Sequence, residues 1–179
     1  MKSAVIDVNV FLDLIKLQML AWLFQIGFQI YTTQEMIDQL NENQSEFLKE
    51  FIESGQLTVY RLSEKELEEA IILTTGRALE LADKSVAWLS IHLQGILISD
   101  NPLPARFYEA TQLEAKGIVW FFDLLIDKQI IVYSFAAQKM GQLLKINRRI
   151  PRAECEKRIA VWEDLATFVI QQVGVNSLH

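Results

Sequence analysis

Two aspartates in this sequence follow short apolar runs that are typical of buried strands. Asp7 comes directly after residues 4–6, and Asp100 follows residues 96–98 with one serine between them. A third aspartate, Asp83, flanks the apolar stripe of a predicted helix. In an open parallel sheet, ligands bind at the carboxyl ends of the strands, near a reversal of strand order. We therefore expect the three carboxylates to share one site.

The chemistry that such a group supports is metal-assisted hydrolysis. Clustered carboxylates with no cationic partner in the sequence suit a hard divalent cation, which prefers oxygen ligands. Like charges repel one another, and a bound cation relieves that repulsion. In phosphodiester hydrolysis one or two such ions position a water molecule, lower its pKa and stabilise charge on the phosphate oxygens. This reaction needs no histidine.

Each aspartate also has an ordinary structural interpretation. Asp7 fits the N-cap of the first helix, and Asp83 fits a first-turn carboxylate that the helix dipole favours. Asp100 fits the cap of a helix containing Pro102, although Asn101 is the better-placed cap. Taken singly, each residue is better explained by structure. Taken together, the three favour a metal site.

Cysteine and histidine are too scarce for most other active sites. There is one cysteine, Cys155, and there are two histidines, His92 and His179. Within one chain that set excludes a disulfide framework and a Cys/His zinc site. His92 lies in an apolar helical stretch and is interpreted as a packed or half-exposed helix residue. If this protein is an enzyme, carboxylates must therefore carry most of its chemistry.

The elements that position these residues alternate between strand and helix. Strands are predicted at residues 3–6, 29–31, 57–62, 96–98 and 118–120. Helices are predicted at residues 11–28, 33–41, 45–54, 63–75, 78–94 and 102–116, and from 121 to 172 with a break at 147–151. The helix at 63–75 opens with a capping box, and Pro102 suits a first helical position.

This alternation predicts the fold class. Strands that alternate with helices imply crossover connections and a mainly parallel sheet. We predict an α/β fold with a central, mainly parallel sheet and helices on both faces. Residues 1–130 would form this domain, and residues 131–179 a C-terminal helical extension packed on it.

The composition is that of one globular domain. The chain has 179 residues, of which 51% are hydrophobic and 22% charged.

Residues 10–30 are the most apolar segment, but interspersed polar residues favour a helix over a membrane span. The oligomeric state is open, although apolar residues expected to be exposed at 10–28 are compatible with a homodimer. The N-terminus reaches Asp7 too early for a signal peptide, so we expect a cytoplasmic protein.

Charge is unevenly distributed along the chain. The net charge of −6 argues against a broad electrostatic footprint for nucleic acid. Residues 145–158 nevertheless contain six basic and two acidic residues, a local charge of +4. A solvated face is the favoured interpretation of that cluster taken alone.

Three segments resemble the motifs of PIN domains. Residues 5–13 are similar to the opening motif, an aspartate and an asparagine at the end of the first strand. Residues 79–86 resemble the central acidic motif, and residues 98–103 the late motif that follows the fourth strand. The resemblance covers residues 3–125 and takes residues 117–120 as the terminal strand segment.

The resemblance implies a sandwich with a central parallel sheet and a ribonuclease site that depends on Mg²⁺ or Mn²⁺. Asp7, Asp83 and Asp100 would be the metal ligands and catalytic residues, and Asn9 would support Asp7. Many PIN domains are toxins of bacterial toxin–antitoxin pairs. Single-stranded RNA and an antitoxin protein are therefore the partners that the resemblance implies.

One position departs from the pattern. The usual glutamate of the second helix falls at Gln39, which keeps an acceptor oxygen but lacks the charge. Gln39 is therefore assigned a supporting role. Asp38 or Glu35 could substitute as an acid, and Asp38 is taken as a fourth candidate metal ligand, although each points roughly 100° or more away from Gln39 on a regular helix.

Two further functions compete with a metal-dependent endoribonuclease. The first is a catalytically silent PIN-fold module that binds RNA or protein, which Gln39 and the net negative charge favour. The second is a phosphotransferase of the haloacid-dehalogenase type, with Asp7 as nucleophile and Ser99 holding the phosphate. That chemistry requires a second aspartate two residues after the first, where this chain has Asn9.

Overall fold

Five parallel strands form the sheet of this protein. The computed structural model describes residues 2–73, 79–101, 103 and 105–176. The strands are β1 (Ser3–Ile6), β2 (Gln29–Thr33), β3 (Leu57–Tyr60), β4 (Ile96–Ile98) and β5 (Glu114–Lys116). Their order in the sheet is β3-β2-β1-β4-β5, and every neighbouring pair is parallel. The predicted α/β class with a parallel central sheet is confirmed.

The reversal of strand order falls at the centre of the sheet. The chain builds outward from β1 through β2 to β3, and then returns to the other side of β1 to add β4 and β5. The register pairs Ile6 with Ile98, the last residues of β1 and β4. The residues that follow these two strands therefore leave the sheet side by side at the reversal point.

Ten helices connect and follow the strands in the described part of the chain. They are α1 (Val8–Lys16), α2 (Leu20–Leu23), α3 (Gln34–Ile37), α4 (Glu42–Glu53), α5 (Glu64–Leu73), α6 (Leu81–His92), α7 (Ala105–Thr111), α8 (Ile118–Asp127), α9 (Tyr133–Ile146) and α10 (Arg152–Asn176). The predicted capping box is present at the start of α5, where Ser63 N–H donates to Glu66 Oε2 at 2.7 Å. Among the described residues, no helix has the length and apolarity that a bilayer span requires.

The chain divides into two compact units, Met1–Ile118 and Val119–His179. In the first unit, β1 and β4 are buried along Ala4–Ile6 and Ile96–Ile98, as expected for central strands covered on both faces. Trp88 and its apolar neighbours on α6 belong to the same core. The predicted boundary near residue 130, and the packing of a C-terminal extension on the first domain, stay predictions.

In the second unit, α9 packs against α10. The aromatic rings of Phe122 and Trp162 stack with their centroids 6.4 Å apart. Arg158 forms a forked ion pair with Asp123, in which Nε lies 3.0 Å from both carboxylate oxygens and Nη2 lies 2.9 Å from Oδ2. Aromatic stacking and a bidentate ion pair thus hold α8 against α10.

The prediction for residues 102–120 was wrong in its second half. Residues 114–116 were predicted as helix and are strand β5, whereas residues 118–120 were predicted as strand and begin α8. Both errors have a physical origin. Helix α8 is buried on most sides, so its first turn reads as a continuous apolar run. Strand β5 lies at the sheet edge and is largely polar, so it lacks the apolar run that identifies a buried strand.

The long helix predicted at residues 11–28 was also wrong. Helix α1 ends at Lys16, and only the four-residue α2 follows before β2. Most of the large apolar side chains in this segment are buried. The expected exposed apolar surface at 10–28, the basis for predicting a dimer, is therefore absent. The predicted helix boundaries at residues 75–78, and Pro102 as a first helical residue, lie outside the described residues.

Several helices end in a left-handed residue that is glutamine where glycine is usual. Gln18, Gln94 and Gln129 have φ of 57°, 48° and 57°. After α1, Gln18 N–H donates to Ile15 O at 2.9 Å and Met19 N–H donates to Leu14 O at 2.7 Å, the paired bonds of a Schellman cap. A side chain in this conformation is strained, since Cβ crowds the following carbonyl.

We expect Gln18→Gly to stabilise the protein by about 0.5–1 kcal/mol, because glycine adopts this conformation without strain. Chemical denaturation would measure the free energy of unfolding. Gln142→Gly is the matched control, because Gln142 is exposed inside α9. That change should destabilise by about 0.5–1 kcal/mol. Equal effects of the two substitutions would contradict the strain argument.

Candidate functional site

Asp7 is fixed by hydrogen bonds to both of its carboxylate oxygens. It follows β1, is almost fully buried and serves as the N-cap of α1. Oδ1 accepts from Asn9 N–H at 2.8 Å and from Asn9 Nδ2 at 3.1 Å. Oδ2 accepts from Ser99 Oγ at 2.6 Å. The carboxylate therefore has a single orientation, set by the next helix and by the neighbouring strand.

Ser99 connects the ends of β1 and β4. Its hydroxyl donates to Asp7 and accepts from Asn101 N–H at 3.0 Å, which shapes the turn after β4. Asp7 N–H donates to Ile98 O at 3.0 Å, so the backbone ladder continues one residue beyond β1. Asp7 and the Ser99–Asn101 turn are thereby held next to each other.

Asp100 lies in that turn with its two oxygens in different situations. Oδ1 accepts from Ile118 N–H at 2.9 Å, at the first residue of α8. Oδ2 is buried, and no described residue donates a hydrogen bond to it. Burial is the largest influence on the carboxyl and raises its pKa, and the charges of Asp13 and Asp7 raise it further. The Ile118 hydrogen bond acts in the opposite direction.

Asp83 reaches the same region from the first turn of α6. Its carboxylate accepts from the backbone of Glu80 and from the side chain of Asn101. Desolvation by burial raises its pKa most, and the charge of Asp7 adds to that shift. Asp83 thus has the structural role expected of a first-turn carboxylate, and it also lies within electrostatic range of Asp7.

A buried hydroxyl pair positions the first turn of α6 against the sheet. Thr33, at the end of β2, has its hydroxyl 2.7 Å from that of Ser85. Ser85 donates to Ala82 O at 2.7 Å, so the proton between the two hydroxyls comes from Thr33. This bond fixes the part of α6 that carries Asp83 relative to the end of β2.

The fold therefore brings Asp7, Asp83 and Asp100 into one charged neighbourhood. Across residues 2–73, 79–101, 103 and 105–176, however, no three Asp, Glu, His or Cys side chains are close enough together to share one ion. Repulsion between the carboxylates of Asp7, Asp83 and Asp100 favours a wider spacing of these side chains. The donor set is nevertheless that of a hard cation, since the three aspartates offer only oxygen ligands and Asp100 Oδ2 is buried with no hydrogen-bond donor among the residues that the structure describes. Mg²⁺ often takes only one or two protein carboxylates and keeps several waters.

Three further polar residues, Glu35, Asp38 and Gln39, lie on α3 or directly after it. Gln39 is exposed and donates from Nε2 to Glu80 Oε2 at 3.0 Å, next to the turn that carries Asp83. Asp38 is exposed and accepts from Gln34 Nε2 at 2.8 Å. Glu35 is half-buried, and its Oε2 has no hydrogen-bond donor among the described residues.

Sequence reasoning did not identify two residues near this site. Ser99 was considered only as a phosphate-binding residue, and its contact with Asp7 depends on strand pairing. Asp13 is buried in α1, and its charge acts on Asp100. An acid on the buried side of an apolar helix was a signal that could have singled out Asp13. His92 is an exposed helix residue that stacks on Trp88 with ring centroids 3.6 Å apart.

Gly117 leaves room for the Asp100 carboxylate, because a Cβ atom there would lie 2.7 Å from Asp100 Oδ1. We expect Gly117→Ala to displace the carboxylate and to deprive Ile118 N–H of its acceptor. Amide hydrogen exchange at Ile118 should then accelerate by about tenfold, which corresponds to the loss of one hydrogen bond. The free energy of unfolding should fall by only about 1 kcal/mol, because a flexible side chain can move aside.

Gly141→Ala in α9 is the control, since a Cβ atom there meets nothing within 4 Å. It should leave Ile118 exchange unchanged. Unaltered Ile118 exchange in Gly117→Ala would show that Asp100 is not held as described.

A family model described as a PIN domain matches residues 3–164. The match extends beyond the segment that carried the resemblance in the sequence and includes α9 and the first half of α10. No curated protein gives a significant match. Because the family match spans most of the chain, this protein belongs to the PIN domain family.

Proposed function

We propose that this protein is a divalent-metal-dependent endoribonuclease whose ion lies among Asp7, Asp83 and Asp100, bound directly by one or two of these carboxylates and through water by the others. PIN domains form a nuclease-like superfamily, generally depend on divalent metal and generally bind RNA. The observation that carries the proposal is the buried Oδ2 of Asp100, which accepts no hydrogen bond from any described residue and belongs to a carboxylate within electrostatic range of Asp7. A buried carboxylate oxygen without a partner is destabilising, and a cation would satisfy it.

The surrounding residues orient the three carboxylates. Asn9 and Ser99 donate to different oxygens of Asp7, and Ile118 N–H donates to Asp100 Oδ1, which leaves Asp100 Oδ2 for the ion. Asn101 bonds the Asp83 side chain. When bound, a divalent cation would activate a water molecule and stabilise charge on the phosphate oxygens of RNA.

Other parts of the proposal rest on family membership alone. They are the choice of Mg²⁺ or Mn²⁺, single-stranded RNA as substrate, a toxin-like role with an antitoxin protein as partner, and a cytoplasmic location. The fourth-ligand role of Asp38 receives no added support, since its carboxylate bonds Gln34 at the surface.

A second candidate function is a catalytically silent PIN module that binds RNA or protein. Two observations favour it. Gln39 stands at the position of the expected glutamate and bonds Glu80. In the described residues no three metal-binding side chains converge. Metal affinity separates the two functions, because a silent module would bind Mn²⁺ poorly and would tolerate loss of Asp83.

The decisive experiment is Mn²⁺-dependent cleavage of a labelled single-stranded RNA. We expect the wild type to cleave and Asp100→Asn to lose at least about 100-fold in rate, roughly 3 kcal/mol of transition-state stabilisation. Asp164→Asn is the control, because it makes the same chemical change at an exposed residue of α10 and should leave cleavage intact. If the wild type neither cleaves RNA nor binds Mn²⁺, the silent module is the better description.

Ser99→Ala tests how Asp7 is oriented. Loss of the 2.6 Å hydrogen bond should weaken Mn²⁺ binding by about 10–100-fold, the usual effect of removing a residue that orients a metal ligand. Ser90→Ala is the control, since that buried hydroxyl donates only to Val86 O within α6. Mn²⁺ affinity can be followed by electron paramagnetic resonance. Equal affinity in both variants would remove Ser99 from the site.

A further inference from the structure

Four exposed cations surround the turn between α9 and α10. They are Lys145, Arg148, Arg149 and Lys157, and we call them the basic turn. The second unit, residues 119–179, contains eight basic and six acidic residues, a net charge of +2. The first unit, residues 1–118, therefore has a net charge of −8, and the two units together give the total of −6. Positive charge is concentrated on one part of an acidic protein.

Three acids of the second unit, Asp123, Glu154 and Glu156, are paired with Arg152 and Arg158. Arg158 binds Asp123 at 2.9 Å and Glu154 at 2.6 Å, and the hydrogen bonds that it donates to both acids raise its pKa far above the usual range. Arg152 binds Glu156 at 3.0 Å. Within the described part of the chain, none of the four basic-turn residues forms an ion pair. Their charges are therefore available to a partner.

The backbone of the turn is held in place. Asn147 Oδ1 accepts from Arg149 N–H at 2.8 Å. Ile150 is buried, as are Leu143 before the turn and Cys155 after it. The cations thus extend from a fixed frame, which lowers the entropy lost when they bind a partner.

We propose that the basic turn binds the phosphate backbone of RNA, as a contact separate from the three aspartates. This inference rests on the proposed function, because an RNA-cleaving protein of net charge −6 must overcome repulsion of its substrate. A cluster of cations that form no ion pair with any described residue supplies that attraction, and arginine forks match phosphate geometry. The four side chains are all cationic, so the contact is sequence-independent and strongly dependent on salt.

The test measures binding of a labelled single-stranded RNA to the full chain in EDTA, where metal-dependent cleavage does not occur. The test variant combines Lys145→Gln, Arg148→Gln, Arg149→Gln and Lys157→Gln. The control combines Lys16→Gln, Lys49→Gln, Arg61→Gln and Lys65→Gln, which removes the same charge from exposed residues of the first unit.

We expect the test variant to bind RNA at least about tenfold more weakly and the control less than about threefold. Each phosphate contact to a single strand contributes about 0.7 to the slope of log K against log salt, so that slope should shrink by about 2–3 in the test variant. Arg148→Gln with Arg149→Gln alone should shrink it by about 1.4. That double variant provides a milder test should the fourfold variant fold poorly.

Three results would overturn the proposal. The first is that RNA binding weakens equally in the test and control variants. The second is that the wild type does not bind RNA. The third is that the wild type binds phosphatidylserine vesicles in preference to RNA and RNA does not displace them. The last result would assign the turn to an anionic membrane surface. Because the measurement contains no metal, its failure is distinguishable from failure of the ribonuclease proposal, which appears as absent Mn²⁺-dependent cleavage.

Discussion

The pairing of β1 with β4 is the interaction on which the candidate site depends. The two strands are separated by about 90 residues of sequence, yet their last residues, Ile6 and Ile98, are register partners. The ladder continues through Asp7 N–H to Ile98 O and is reinforced by Ser99 Oγ to Asp7 Oδ2. A register shift of one residue would point the side chains that follow the strands to opposite faces and would separate the carboxylates.

The same geometry places acids where they are electrostatically unfavourable. Burial raises the pKa of both Asp83 and Asp100, and the charge of Asp7 adds to each shift. Hydrogen bonds from Asn101 and Ile118 offset part of this effect. Buried acids whose charges raise one another's pKa are a destabilising feature, and such features concentrate at functional sites.

The two units carry opposite net charges, and this difference gives them complementary roles in the proposed function. The first unit holds the aspartates that would bind the ion, and its net charge of −8 repels a polyanion. The second unit has an excess of cations, four of which have no ion pair among the described residues. Attraction of RNA and cleavage of RNA would then be performed by different residues.

The sequence by itself determined the α/β class, the strands that carry the aspartates and the capping box at Ser63, because these follow from local apolar runs and short-range hydrogen bonds. It did not determine where the edge of the sheet lies. Residues 114–116 were predicted as helix and form a strand, and residues 118–120 were predicted as strand and begin a helix. Burial by surrounding elements decides whether an apolar run is helix or strand. Tertiary structure alone decided that Ser99 bonds Asp7, that Gln39 bonds Glu80 and that Asp13 acts on Asp100. Each of these contacts joins segments distant in sequence or depends on burial, and a linear pattern contains neither the strand order nor the local solvent exclusion that creates them.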